Sequence, residues 1–329
     1  MYEFDVYAIG NALVDREYHV DDALLAELGL HKGMMSLIDE PRRHQWLSLL
    51  EARYPCLKQA CGGSAANSIV AVAALGGRSF YSCRVAQDAL GDFYRQDLHA
   101  AGVSSNLKAA RATGHTGTCL VLVSDDAERT MATHLGVTAD LDSSDLVPEH
   151  LISSRWLYME GYLASSPSAL QALAQARRIA REHGTAIALT FSDPAMASHF
   201  RDPLRQMIDE GVDLLFCNEE EACLFTGESD LERALAALRP LARRIVVTRG
   251  AAGSLILDAQ AQLHIPAVKV SAIDSNGAGD AYAGAFLYGL TQDWDVETCA
   301  QLASRVAARV VSQFGPRLAL AEYAALLQA

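Results

Sequence analysis

The feature that most restricts the architecture of this chain is its alternation of short apolar runs with longer helical patterns. Runs at 78–85, 156–159, 185–191 and 212–217 are followed by helical patterns at 91–101, 167–182, 196–210 and 219–225. A strand that feeds a helix before the next strand makes a βαβ unit. A succession of such units builds a parallel sheet with helices on both faces. The run at 4–10 (FDVYAIG) reads as a first buried strand, and 244–248 starts an antiparallel hairpin continued at 254–257 and 262–265. Sheets of this kind hold ligands at the carboxyl ends of their strands.

A second set of β-rich pieces lies outside that alternation, at 17–20, 34–38, 115–124 and 129–135. The last two are joined by the turn Asp125-Asp126-Ala127-Glu128. Detached from helices, these pieces predict a small separate sheet. No repeat, low-complexity tract or linker intervenes. The expectation is therefore one α/β domain over residues 1–329, a three-layer sandwich with a mostly parallel central sheet. Its β lid is inserted as segments at about 11–38 and 113–136.

The most specific chemistry sits near the C-terminal end, at Asp274-Ser275-Asn276-Gly277-Ala278-Gly279-Asp280. An apolar run (Val268, Val270, Ile273) reads as a strand before it, and 281–288 reads as a buried helix after it. Glycines at the mouth of a helix let backbone N–H groups converge on an anion, and the helix dipole favours negative charge there. Asp280 would repel that anion unless its carboxylate has a task, such as taking a proton from an attacking hydroxyl. A dinucleotide fingerprint would need glycine where Tyr282 stands, and a Walker A loop would need Gly-Lys-Ser/Thr. An anion cradle with a built-in base suits phosphoryl transfer to an alcohol.

Five other constellations carry possible chemistry. Cys61-Gly62-Gly63-Ser64-Ala65-Ala66-Asn67 opens a helix of small residues running to Leu75. It reads equally as a plain helix start capped by Ser64 or as a loop in which Asn67 bridges two hydroxyls. Asn11-Ala12-Leu13-Val14-Asp15 follows the first strand, and Asp15 is either a solvated loop carboxylate or a grip for a vicinal diol. Asn218 and Glu221, three apart, face one side of a first helical turn. They suit a hydrated Mg²⁺, or simple compensation of the helix dipole. Thr248-Arg249-Gly250 ends a strand, and Glu128-Arg129-Thr130 places a cation at the start of another.

Composition removes other classes. A net charge of −13 leaves no basic surface for nucleic acid. No apolar run approaches the roughly 20 residues of a membrane span. The start, Met1-Tyr2-Glu3-Phe4-Asp5, lacks the basic and apolar regions of a signal peptide. Seven cysteines without a CxxC pair point to free thiols and a cytoplasmic setting, and the ten histidines show no metal-binding spacing.

Taken together and in this order, the segments resemble the ribokinase-like (PfkB) carbohydrate and nucleoside kinase family over nearly the whole chain. The heptapeptide ending at Asp280 is similar to that family's C-terminal signature, with Ser275 and Asn276 where its most familiar form has two threonines. Gly62-Gly63 to Asn67 is similar to its N-terminal signature, and Asn218 to Glu221 to its NxxE motif. The adenosine kinase branch is the nearest likeness, through Gly10-Asn11-Ala12-Leu13-Val14-Asp15, Thr116-Gly117-Thr118-Cys119, Glu128-Arg129-Thr130-Met131 and Gly161-Tyr162-Leu163.

The resemblance implies a Rossmann-like α/β fold, ATP as donor and Mg²⁺ as cofactor. Activation by K⁺ and the choice between monomer and homodimer stay open. It implies Asp280 as the base and the amides of Gly277, Ala278 and Gly279 as the anion hole. Asn11 belongs to the same substrate site, where Asp15, Gly63 and Asn67 would hold ribose hydroxyls. Tyr162 would stack on a purine against Met35, Leu37 and Met131. Asn218 and Glu221 would organise the metal through water, Asn218, Thr248 and Gly250 would serve the nucleotide, and Arg129 would reach its γ-phosphate. One departure stands out. Ser192-Asp193-Pro194 is followed by Ala195, where animal members of the branch carry a second aromatic. That ring is worth about 0.5–1.5 kcal/mol of stacking, and Asp193 beside it adds a polar group. The implied reaction is phosphorylation of a purine nucleoside, adenosine foremost, at its 5′-hydroxyl. A kinase for ribose or a related furanose is the alternative. A nucleotide-binding regulator without catalysis is disfavoured by the presence of Asp280, Asn218, Glu221 and Arg129.

Overall fold

A computed structural model describes residues 2–107, 111–126, 128–258 and 261–327. Its strands in chain order are β1 (Phe4–Ile9), β2 (Leu13–His19), β3 (Met35–Leu37), β4 (Lys58–Gly62), β5 (Ser79–Ser82), β6 (Ser104–Ser105) and β7 (Gly117–Val123). They continue as β8 (Arg129–His134), β9 (Ser154–Glu160), β10 (Ala186–Thr190), β11 (Val212–Asn218), β12 (Ala242–Thr248), β13 (Ser254–Asp258) and β14 (Ala261–Ile265). Nine form one sheet in the order β14-β13-β12-β11-β10-β9-β1-β5-β6. All its pairings are parallel except β12–β13 and β13–β14. The remaining five form a second sheet, β3-β8-β7-β2-β4.

The central strands read as unbroken apolar runs because helices bury both of their faces. Side chains alternate between the two layers. Val6, Ala8, Tyr158, Ala188, Leu214 and Val246 join the core beneath the helices Ser64–Ala74, Ala278–Thr291 and Val296–Val311. Tyr7, Ile9, Leu157, Leu189, Leu215 and Val247 face the opposite layer, which includes the helix Pro167–His183. The small sheet has its own core, in which Tyr18, Leu120, Leu122 and Ala132 pack on Leu24, Leu25, Trp46 and Leu50 from the helices Asp22–Leu28 and Glu40–Arg53. The residues between these along β2 and β8, Asp15, Met131 and Thr133, take the other face and look into a cavity.

Three local expectations differ from the structure. The run Val268, Val270, Ile273 forms no strand. The sheet ends at β14, Pro266 follows it, and the three side chains are exposed. The N–H groups of Ile273 and Asp274 instead bond to Val311 O at the end of a helix. The helix expected at 196–210 is two helices, Pro194–His199 and Arg201–Ile208, divided at Phe200. Pro203 explains the break, since its ring would clash with the carbonyl of His199 in a continuous helix. Strand β4 is an addition that the mixed sequence KQACG did not signal, pairing antiparallel with β2. The turn expected between β7 and β8 includes Ala127, which lies outside the described residues. The two strands pair antiparallel as the sequence implies.

Candidate active site

The carboxyl ends of the parallel strands, the loop 274–279 and the inner face of the small sheet enclose a cavity of about 420 Å³. The helix Ala278–Thr291 begins at Gly277, whose φ of 75° suits glycine. A Cβ at Gly277 would also lie 2.4 Å from Pro316 Cβ, so the loop is packed tightly from behind. The first N–H groups of a helix have no intrahelical acceptor. Gly277 and Gly279 line the cavity. Ala278 does not, and its N–H bonds to Ser275 O at 3.3 Å.

Asp280, in the first turn of that helix, projects into the cavity. Ser64 Oγ donates to its Oδ1 at 2.6 Å and Asn67 Nδ2 to its Oδ2 at 2.9 Å. Burial raises its pKa above the usual carboxylate range, and the two hydrogen bonds and the Arg317 charge offset part of that rise. Ser64 is therefore not the helix cap. The cap position is Gly63, which makes no side-chain capping bond, and a Cβ there would lie 2.2 Å from Asn11 O. The end of that helix is served instead from β9, where Glu160 Oε2 accepts from Ala65 N at 2.8 Å. Glu160 Oε1 also accepts from Asn11 Nδ2 at 2.9 Å. Glu160 is fully buried, which pushes its pKa up to about 7.

Asp15 lies on β2, facing the cavity near the site of Gly62, where a Cβ would lie 2.6 Å from Asp15 Oδ2. Burial pushes Asp15 to about 7, against the pull of Arg317 and Arg129. Met35, Leu37 and Met131 form an apolar wall on the small sheet. Tyr162 stands in the same cavity, and its hydroxyl donates to Asp193 Oδ2 at 3.3 Å. Ser192, next to Asp193, holds a φ of 72°, strained for a residue with a side chain, and its Oγ accepts from Gly161 N.

Asn218 and Glu221 close a reciprocal capping box. Asn218 Oδ1 accepts from Glu221 N at 2.8 Å, while Glu221 accepts from Asn218 N and Nδ2, both at 2.9 Å. Burial lifts Glu221 to about 7. Thr248 lines the cavity, whereas Gly250, in a short turn after β12, does not. Arg129 is also outside the lining. It is held by Glu17 and by Asp274, each at 3.1 Å.

The structure thus gathers Asn11, Asp15, Met35, Leu37, Gly63, Asn67, Met131, Tyr162, Asn218, Glu221, Thr248, Gly277, Gly279 and Asp280 around one cavity. Ala278, Arg129 and Gly250 stand beside it. Glu160 and Arg317 carried no signal in the sequence, and Ser64 and Asp274, which stand in the motifs, take contacts those motifs did not announce. Among the described residues, the lining carries five carboxylates (Asp15, Glu160, Asp193, Glu221, Asp280) and no Lys, Arg or His.

The chain is similar to known proteins over nearly its whole length. The family model described as pfkB family carbohydrate kinase matches residues 35–322. A solved adenosine kinase from Sinorhizobium meliloti is 36% identical, with a TM-score of 0.89, covering 99% of this chain and 100% of its own. A probable sugar kinase from Rhizobium etli is 33% identical, with a TM-score of 0.90, covering 100% of this chain and 99% of its own. The adenosine kinase of Saccharomyces cerevisiae is 28% identical over 329 residues, 94% of this chain and 95% of that protein.

Proposed function

We propose, from the premise that this chain belongs to the pfkB family of carbohydrate kinases, that it transfers the γ-phosphate of ATP to the 5′-hydroxyl of a purine nucleoside, adenosine foremost. The observation that carries the choice of acceptor is the cavity's lining. Tyr162 and the apolar wall of Met35, Leu37 and Met131 share one cavity with two carboxylates of different duty, Asp15 and Asp280. Aromatic and apolar side chains suit a base, Asp15 suits the ribose diol, and Asp280 suits the hydroxyl to be phosphorylated.

In this reading Asp280 accepts the proton of the attacking hydroxyl. Its raised pKa makes it a stronger base than a solvated aspartate, and Ser64 and Asn67 fix its two oxygens. The amides at Gly277 and Gly279 and the helix dipole face the negative charge that gathers on the transferring group. Asn218 and Glu221 fit a hydrated Mg²⁺ rather than a bare one. Every oxygen of the pair already accepts one N–H, leaving lone pairs for water held around an ion. When bound with ATP, Mg²⁺ would neutralise phosphate charge next to a lining that has no cation of its own.

A second reading, a furanose kinase, is favoured by Ser192 and Asp193 beside Tyr162 and by Ala195 in place of a second ring. Release of ADP from ATP and Mg²⁺ with adenosine, inosine, ribose and fructose as acceptors separates the two. The expected outcome is a kcat/KM for adenosine above that of every sugar. Higher activity with ribose overturns the nucleoside reading.

A further inference from the structure

The segment Gly315-Pro316-Arg317 precedes the last helix, Leu320–Leu327, and lies outside the motifs that mark the site. It nevertheless touches three parts of it. Gly315 N donates to Asp274 Oδ2 at 2.8 Å, at the start of the anion loop. Pro316 packs against Gly277 so closely that no Cβ would fit there. Arg317 donates from Nε to Asn67 Oδ1 at 2.8 Å and from Nη1 to Asp97 Oδ2 at 2.7 Å.

The last contact has a chemical direction. An asparagine amide has one oxygen and one NH₂. By occupying Asn67 Oδ1, the guanidinium obliges the NH₂ to face Asp280, where Nδ2 donates to Oδ2 at 2.9 Å. The rigid fork of arginine sets that geometry from an anchor on the helix Ala89–Ala100, which carries Asp97. The Arg317 side chain is only 14% exposed. Its Nη2 is buried without an acceptor among the described residues.

Resting on the reading of Asp280 as the base, we propose that Arg317 is a positioning residue for phosphoryl transfer. Through Asn67 it orients the Asp280 carboxylate, and it supplies the buried positive charge that the acidic cavity lacks. Its charge also faces Asp15, for which it is the foremost favourable counter-charge. One cation thus serves both the grip on the acceptor and the base.

The pH dependence of turnover reports this role. The groups that act electrostatically with Asp280 are Arg317, Tyr158 and Glu160 on β9, Tyr162 beyond it, Glu221 on the helix Glu219–Thr226 and Tyr323 on the last helix. Arg317 is the one cation among them. Its removal leaves the burial that raises the Asp280 pKa less opposed, so the acid limb of the kcat profile moves to higher pH.

Five variants test the proposal with ATP, Mg²⁺ and adenosine, each checked for Tm. Arg317→Gln is expected to lower kcat by about 10-fold to 100-fold, the scale of a base misplaced by an ångström, and to shift the acid limb upward. Arg317→Lys keeps the charge but not the fork, so kcat stays low while the limb returns toward its wild-type position. Asn67→Ala combined with Arg317→Gln is expected to cost little more than Asn67→Ala alone, because the two act in series. A folded Arg317→Gln with wild-type kcat and acid limb overturns the proposal, as does full additivity with Asn67→Ala. Should Arg317→Gln not fold, wild-type kcat in Arg317→Lys overturns it. Asp280→Asn separates this failure from that of the underlying reading. Turnover retained there removes Asp280 as the base, whereas its loss beside an unaffected Arg317→Gln removes only the role of Arg317.

Discussion

Replacing Tyr162 by alanine separates a nucleoside site from a sugar site. The ring lines the cavity that also holds Met35, Leu37 and Met131. If it stacks on a purine, truncation costs about 1–3 kcal/mol of binding, which is roughly a 5-fold to 150-fold rise in KM at 1.4 kcal/mol per decade. Turnover at saturation changes less, because a contact remote from the reacting hydroxyl contributes uniform binding. The Tyr162 hydroxyl is a smaller matter. Its 3.3 Å bond to Asp193 is long, and Asp193 keeps its bond from Ala195 N without it. Tyr162→Phe is therefore expected to cost no more than about 1 kcal/mol. Ribose has no π-face, so its kcat/KM should hardly respond to either change. The assay is kcat/KM for adenosine and for ribose on the three proteins, with Tm recorded, since Tyr162 also packs against the core. Equal losses for both acceptors, or a lowered Tm with unchanged selectivity, refute the stacking role.

Three further outcomes follow from the same geometry. Asp280→Asn keeps shape but cannot accept the proton, so kcat should fall about 10²-fold to 10⁴-fold while adenosine binding, measured by calorimetry, persists. Asp15→Ala should weaken adenosine by on the order of 1.5–3 kcal/mol and 2′-deoxyadenosine by less, and equal losses would show that Asp15 does not touch the 2′-hydroxyl. Stability should also depend on pH. Glu160 and Glu221 are buried and raised to about 7 when folded, against an ordinary value of about 4.3 in the unfolded chain. A raised carboxylate stabilises the fold below the unfolded value, and that contribution is lost as pH rises through the folded one. Urea midpoints of the ligand-free protein should therefore fall between about pH 4.5 and 8, on the order of 3 kcal/mol per group. A flat or rising midpoint refutes the assignment.

What was legible in the sequence is what short-range pattern determines. The parallel strands declared themselves because both faces are buried and their runs are apolar without a break. The heptapeptide declared itself because a glycine-rich turn, a helix start and a carboxylate are adjacent in sequence. Strand β4 was missed because KQACG has neither continuous apolarity nor clean alternation, and it pairs only because β2 lies beside it. Val268, Val270 and Ile273 misled for the opposite reason, having a strand's alternation with no neighbour beyond β14 to bond. At the site, Asp280 and Asn67 were visible as types in motifs. The bonds that define their task span more than 200 positions, from Asp280 back to Ser64 and Asn67 and from Asn67 forward to Arg317. No local signal carries such information.

Charge balance unites the site. Five carboxylates line the cavity, and in the proposed function two of them, Asp15 and Asp280, work on substrate hydroxyls. Cations stand behind the lining instead of within it. Arg317 is buried against Asn67 and Asp97, and Arg129 is held between Glu17 and Asp274. Arg129 stands at the start of β8 in the small sheet, and its bond to Asp274 ties that sheet to the start of the loop 274–279. Arg317 is tied instead to the helices that carry Asn67 and Asp97. In the proposed function, the cation tied to those helices serves the base Asp280, and the cation on the small sheet serves the charge of the donor phosphate.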